Sequence, residues 1–358
     1  MLTLIKSLFI FLLLATSCAK KETQKKDTSD FETLMGNQLP AWKLIQTQED
    51  FDNLAFFKDV FESNKPYLVT DSKKLKIPKT LHFIWIGPKS FPRESIQNVR
   101  SWIAKNPDFE VKFWTDRDRP LPHPAMKKMF IKDFKFTKLY DCYYKSDNYG
   151  EKSDILRYEI LYQEGGIYVD HDVKCVASFD KLNIAYDLYC GLEVPFETAL
   201  SSSVMPTNNI VGARASHPVL KYALDWLEEK WEKIERDYPG KDKDAVINRV
   251  SHRTFLVLGE SIKALGNREG NHDMVFPAYY FNAPKDVDAI MARHTYAGTW
   301  FENESKFEKM ARERLMMLSK KTNKILLFFG IMSALNIAGF AALLILFLKK
   351  NKRKTKSE

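Results

Sequence analysis

The segment Gly165-Gly166-Ile167-Tyr168-Val169-Asp170-His171-Asp172 leaves this chain few folding choices. Two consecutive glycines can take the positive φ that ends a helix and turns the chain. The β-branched and aromatic run Ile167-Tyr168-Val169 then reads as a buried strand. Upstream, Ser153-Asp154-Ile155-Leu156-Arg157-Tyr158 reads as helix, with Asp154 and Arg157 three apart on one face. In an extended segment residues i and i+2 point the same way, so Asp170 and Asp172 are expected to share a face and His171 to point away. Two convergent carboxylates at a strand end suit a hard divalent cation, Mg²⁺ or Mn²⁺.

The flanking pattern implies an α/β sheet. Leu81–Ile86 reads as a buried strand, Pro92–Asn106 as a helix closed by Asn106-Pro107, and Glu110–Thr115 as a second strand. Strand, helix, strand in that order gives parallel pairing. Residues 117–150 read as an irregular, partly helical excursion. Leu188–Leu192 is a further strand, and Pro218–Trp231 and Ser251–Leu265 are helices. Lys230–Lys243 is a solvated charged face. Residues 33–72 carry helical spacing in Phe51, Leu54, Phe57, Val60 and Phe61, a helical cap preceded by a polar tether over 19–32.

The two ends carry a different signal. Ile325–Leu348 is uncharged and long enough to span a bilayer, and a basic tail follows it. That tail, 349–358, contributes +5 of the net +9, so the domain itself is only mildly basic and nucleic acid is not an expected partner. The basic tail is expected on the cytoplasmic side. At the other end, Lys6, the apolar run Leu8–Ala15 and Ala15-Thr16-Ser17-Cys18 fit a signal peptide, with Cys18 at the place of a lipoprotein's lipidated cysteine. Together they put the domain outside the cytoplasm, in a cell envelope or a Golgi-like lumen. An uncleaved N-terminal segment, followed by Lys20, Lys21, Lys25 and Lys26, would favour the reverse. Of the remaining cysteines, Cys175 and Cys190 could pair, but reduced buried thiols are the expectation for Cys142, Cys175 and Cys190. No zinc spacing is present.

The whole constellation S-D-I-L-R-Y…G-G-I-Y-V-D-H-D resembles the DXD glycosyltransferases. That family includes yeast initiating mannosyltransferases and the catalytic domains of large clostridial glucosylating toxins. The resemblance runs over about residues 76–302 and includes Ile77-Pro78-Lys79, His82-Phe83-Ile84-Trp85-Ile86-Gly87 and Phe113-Trp114-Thr115-Asp116. Asn208-Asn209 with Gly212-Ala213 and His217-Pro218 is similar to the family's "N…GA…HP" segment. His294 followed by Thr299-Trp300 is similar to its closing element, with Thr where Ser is usual.

The resemblance implies a GT-A fold with a mixed, mostly parallel sheet, and transfer of a hexose from a nucleotide sugar with retention of configuration. A UDP-hexose or GDP-mannose would fit as donor, and a protein or glycan as acceptor. It implies Asp172 as metal ligand, Asp170 as donor and metal support, and Ser153, Asp154 and Arg157 around the donor sugar. Trp85 would stack on the base, worth about 1–3 kcal/mol, and Thr299 and Trp300 would close over the diphosphate. His294 is either a further metal or phosphate contact or a satisfied surface histidine. Taken alone, Trp85 is a core residue and Asp154–Arg157 an ordinary helix ion pair. The implied domains are a signal at 1–18, tether and cap at 19–75, transferase at 76–302, an amphipathic connector at 303–324, the span at 325–348 and the tail at 349–358. Two other classes remain. Ile167–Val173 also fits the nucleophile strand of haloacid-dehalogenase-like phosphatases, and a transferase scaffold can serve as a non-catalytic, membrane-tethered binding protein.

Overall fold

The computed structural model describes residues 30–297 apart from 70, 71 and 199. They fall within the first of two units, Met1–Ala297; the second, Gly298–Glu358, lies outside them. The signal segment with Cys18, the connector, the span at 325–348 and the basic tail therefore fall outside the described residues. Among the described residues no helix is long and apolar enough to cross a membrane.

Seven strands form the central sheet, in the order β3 (Met126–Phe130), β2 (Glu110–Thr115), β1 (Thr80–Ile84), β4 (Gly166–Val169), β7 (Pro206–Ala213), β6 (Leu188–Leu192) and β8 (Asp273–Phe276). β1 pairs in parallel with both β2 and β4, β2 with β3, and β6 with β8. β7 alone runs antiparallel, to β4 on one side and β6 on the other. The fold is thus α/β with a mixed, mostly parallel sheet. A second, two-stranded sheet joins β5 (Val173–Cys175) to β9 (Ala292–His294). The chain builds β1, β2 and β3 outward to one side and then returns to place β4 on the other side of β1, so strand order reverses between β1 and β4, and open α/β sheets bind ligands at the carboxyl ends of strands at such a switch.

The double glycine does what its backbone freedom allows. The Tyr149–Glu164 helix ends at Gly165 (φ 66°), and Gly166 (φ 100°) starts β4. A Cβ on Gly166 would lie 2.7 Å from the Thr80 carbonyl oxygen, so β1 and β4 could not approach. Beneath them His82 is fully buried. Its Nδ1 accepts from Trp114 Nε1 at 3.1 Å, and its Nε2 donates to the Gly165 carbonyl at 2.9 Å. This arrangement needs the neutral ring, and burial lowers its pKa to about 4.

The Arg93–Lys105 helix packs on β5, where Trp102 is fully buried and its Nε1 donates to the Val173 carbonyl at 2.9 Å. Residues 117–150 are less irregular than expected, because β3 forms the sheet's edge there. The Pro218 helix runs on to Asp237. The expected Ser251–Leu265 helix opens with a π turn, Ser251–Phe255, before regular helix from Leu256 to Leu265. Cys142, Cys175 and Cys190 are buried and free, so the Cys175–Cys190 pairing does not form.

The N-terminal helices are part of the core. The polar tether was expected to run to residue 32, but Phe31 is buried, in a short helix capped by Asp30. Phe57 and Phe61 of the Gln48–Asn64 helix are buried, and Phe61 meets Phe276 of β8 edge-on, while Phe51 is exposed. That helix starts with a capping box between Thr47 and Asp50. The buried Asp50 carboxylate also accepts from Ser202 Oγ at 2.8 Å and from Ser203 N at 2.7 Å. Burial opposes its charge, but the backbone N–H groups of Gln46, Thr47 and Ser203 hold Asp50 well below the usual carboxylate range.

Candidate active site

Asp170 and Asp172 meet, though not by strand alternation. β4 ends at Val169, the Asp170 N–H donates to the Asn209 carbonyl at 2.9 Å, and Val173 N donates back to the Asp170 carbonyl at 3.2 Å. The chain therefore turns through residues 170–173, and the turn brings the two carboxylates together. His171 does face away. Its Nδ1 lies 2.8 Å from Ser95 Oγ, on the Arg93–Lys105 helix. His294, carried in by β9, completes a cluster with Asp170 and Asp172 whose ligand atoms all lie within 4.8 Å of one another.

Arg157 organises the floor. Its buried guanidinium contacts Asp154 Oδ1 at 2.6 Å, Asp170 Oδ1 at 3.1 Å, the Asn208 carbonyl at 2.6 Å and the Tyr168 hydroxyl at 2.9 Å. Tyr168 in turn donates to Asp170 Oδ1. Burial works against the charge of Arg157, but Asp154, Tyr168 and Asp170 outweigh it and raise its pKa. Burial pushes Asp154 up to about 6, opposed by Arg157. The pair is therefore more than a helix-surface contact, because it ties the helix to the carboxylate at the end of β4. Ser153 sits beside it, its Oγ 3.5 Å from the Tyr168 hydroxyl. From behind, the Thr254 carbonyl of the π turn accepts from the Tyr158 hydroxyl at 2.8 Å, and the Thr254 hydroxyl donates to the Val250 carbonyl at 2.9 Å. A π turn often marks a functional site.

Asp172 is held by the segment after β9. Its Oδ2 lies 3.3 Å from His294 Nε2 and accepts from Ala297 N at 2.7 Å. Its carbonyl accepts from Thr295 N at 3.0 Å and Thr295 Oγ1 at 2.7 Å. Burial raises the pKa of Asp172, but the His294 hydrogen bond and charge pull it well below the usual range. His294 shifts the other way: burial opposes its charge, and Asp172 more than compensates. Two carboxylates and an imidazole suit Mn²⁺ and similar divalent ions. His294 Nδ1 is buried without a hydrogen-bond partner, so the ring has capacity to spare. The residues present fit a divalent cation.

Trp85 follows the end of β1. It is half-buried and meets His171 edge-on at 4.9 Å, with its Nε1 donating to the Lys89 carbonyl at 2.9 Å. The loop after it is clamped by two residues of the β2 exit. Asp116 accepts from Gly87 N at 3.1 Å, and Arg119 donates to the carbonyls of Gly87 at 2.7 Å and Lys89 at 2.8 Å. Thr299 and Trp300 lie outside the described residues.

The segment Asn208–His217 starts beside the site and runs away from it, since Val169 pairs with Ile210 and Gly166 with Ala213. Asn209 Nδ2 donates to Asn282 Oδ1 at 2.7 Å, Gly212 lies directly beneath the Tyr189 ring, and the fully buried His217 lies 3.0 Å from Asp273. Arg119, Tyr168 and Thr254 escaped the sequence reading. Only Tyr168 had a local signal, two residues before Asp170; the others arrive through non-local packing.

Residues 92–189 match the family described as glycosyltransferase sugar-binding region containing DXD motif. The chain is 30% identical over 183 residues to "Subversion of eukaryotic traffic protein A" of Legionella pneumophila, covering 46% of this chain and 27% of that protein. It is 30% identical over 153 residues to inositol phosphoceramide mannosyltransferase 3 of Schizosaccharomyces pombe, covering 42% of this chain and 37% of that one. A glycosyltransferase of Acanthamoeba polyphaga mimivirus is 33% identical over 150 residues, which is 41% of this chain and 53% of that protein. The alignments thus span 27% to 53% of the length of these curated relatives. Among solved structures, the catalytic domain of alpha-toxin from Clostridium novyi overlays with a TM-score of 0.37 at 13% identity, covering 64% of this chain and 74% of that one.

Proposed function

We propose that this chain, whose residues 92–189 match the DXD glycosyltransferase family, is a metal-dependent hexosyltransferase of GT-A fold that uses a nucleotide-diphosphate sugar and retains anomeric configuration. The observation that carries this reading is the convergence of Asp170, Asp172 and His294 at the end of β4, next to the Arg157–Asp154 pair. A divalent ion bound there supplies positive charge for the departing diphosphate. Asp172 and His294 hold it, with Asp170 in support. Arg157 keeps Asp170 oriented, and Asp154 and Ser153 hydrogen-bond the donor sugar. Trp85, on its clamped loop, gives the base an aromatic face. Thr299 and Trp300 close over the diphosphate and keep water out. The acceptor is a protein or glycan, and the domain works outside the cytoplasm on a single-pass membrane anchor.

A dehalogenase-type phosphatase needs its first aspartate free to attack. Here Asp170 is bonded to both Arg157 and Tyr168, which favours the transferase. The test is donor hydrolysis by the purified chain across a panel of UDP- and GDP-sugars with Mn²⁺. Release of nucleotide from one donor class, abolished by EDTA, is expected. No release from any donor would refute the reading.

A further inference from the structure

The backbone of Trp85 is fixed by the sheet, since its N–H donates to the Trp114 carbonyl at 2.9 Å. Its ring is fixed by the loop that follows. The Lys89 carbonyl accepts from Trp85 Nε1 at 2.9 Å and from Arg119 Nη1 at 2.8 Å, so the indole is pinned to an oxygen that Arg119 also holds. Phe91, further along the same loop, meets the Trp85 ring edge-on with centroids 5.5 Å apart.

The same guanidinium holds the start of the loop. Arg119 Nη2 donates to the Gly87 carbonyl at 2.7 Å and to Asp116 Oδ1 at 2.8 Å, and Asp116 Oδ2 accepts from Gly87 N at 3.1 Å. On its other side the loop lies against an aromatic ring, because a Cβ on Gly87 would lie 2.8 Å from the Tyr149 ring. Arg119 is only 9% exposed. Its planar fork reaches two carbonyls and a carboxylate at once, which the single ammonium of a lysine cannot match. Among the described residues its hydrogen bonds run to Gly87, Lys89 and Asp116, so whatever Arg119 does for a ligand it does through this loop.

We propose that Arg119 is a positioning residue for the nucleotide: by fixing the loop from Gly87 to Lys89 it aims the Trp85 ring, and so it governs affinity for the nucleobase and not for the metal and diphosphate. This rests on Trp85 taking the base, as proposed above.

The test is isothermal titration calorimetry on the full chain with Mn²⁺, comparing UDP and GDP with pyrophosphate, which has the phosphates but no base. Stacking of a base on an aromatic face is worth about 5- to 150-fold in affinity. Trp85→Ala is expected to erase much of the advantage of the preferred nucleotide over pyrophosphate. Arg119→Lys is expected to weaken that nucleotide about 10-fold while pyrophosphate binds as to the wild type. In Trp85→Ala/Arg119→Lys the lysine should add little to the loss, since a residue that acts through the ring then has nothing to aim. Asp116→Asn keeps one carboxylate-type acceptor of the two and should show the same selective loss, smaller in size. Wild-type nucleotide affinity in Arg119→Lys, or losses that add in the double variant, would overturn the positioning role and leave the stacking of the base on Trp85 standing. An Arg119→Lys that loses pyrophosphate as well has damaged the fold, and the decision then passes to Asp116→Asn: selective loss of the nucleotide there supports the role, and wild-type affinity overturns it. A wild type that binds UDP and GDP no better than pyrophosphate would remove both the stacking and the role of Arg119.

Discussion

Acidification should unlock the sheet beneath the site through one residue. His82 is buried and neutral, with a pKa lowered to about 4 by desolvation, against 6.5 for an ordinary histidine. The unfolded chain takes up this proton as pH falls through 6.5, and the folded chain resists until about 4. Stability is therefore complete above 6.5 and drains away between those values. At about 1.36 kcal/mol per pKa unit, going from pH 7 to pH 4.5 removes about 2–3 kcal/mol through this group alone. Carboxylates, Asp50 among them, also lose stabilising contacts in acid, so a variant is needed to isolate the His82 contribution. His82→Gln keeps a donor for the Gly165 carbonyl but cannot titrate, and it leaves Trp114 Nε1 without its acceptor, costing about 1–3 kcal/mol at neutral pH. Urea titrations of both proteins at the two pH values give the result. The gap between them should narrow by about 2–3 kcal/mol on acidification. A gap that stays constant would show that His82 does not carry its proton-free state into the fold.

Asp172→Asn should lower donor turnover by at least ~100-fold, as should EDTA on the wild type, because the metal supplies several kcal/mol of charge stabilisation; steady-state kinetics with Mn²⁺ check both. Since burial pushes Asp154 up to about 6, kcat/KM should rise with pH through that value, and Asp154→Asn should lack this acid limb in the profile. Gly212→Ala puts a methyl into the Tyr189 ring and should cost about 3 kcal/mol, visible as a melting temperature lower by roughly 6–12 °C. A melting temperature within about 2 °C of wild type would show that β6 and β7 can separate cheaply.

Much of this was legible where the signal is local. The helix around Asp154, the two glycines and strands β1, β2, β4 and β6 are written in short-range pattern. Five strands were not read, among them β5, three residues long and paired only with β9. β3 reads Met-Lys-Lys-Met-Phe, where lysines suit a sheet edge but hide the alternation. β7 opens on Pro206 and carries two asparagines, so it looked like a loop motif. β8 and β9 are short and depend on distant partners. The site followed the same rule. Asp154, Arg157, Asp170 and Asp172 lie within 19 residues and were read together, whereas Arg119 reaches the Gly87 and Lys89 carbonyls only because β1 and β2 pair. Even the DXD pair met by a different route, through a turn that residue spacing cannot distinguish from a strand.

The bond from Asp50 to Ser203 has a consequence in time. The two residues are 153 positions apart in the chain. At about 5–20 residues per second of synthesis, Ser203 is made roughly 8–30 s after Asp50. Through that interval the Gln48–Asn64 helix has its cap but not its seat, and Phe57 and Phe61 have no β8 to cover them. The first helices made are therefore among the last to be fixed, and a nascent chain stalled before residue 203 should present that aromatic face to whatever binds unfinished protein.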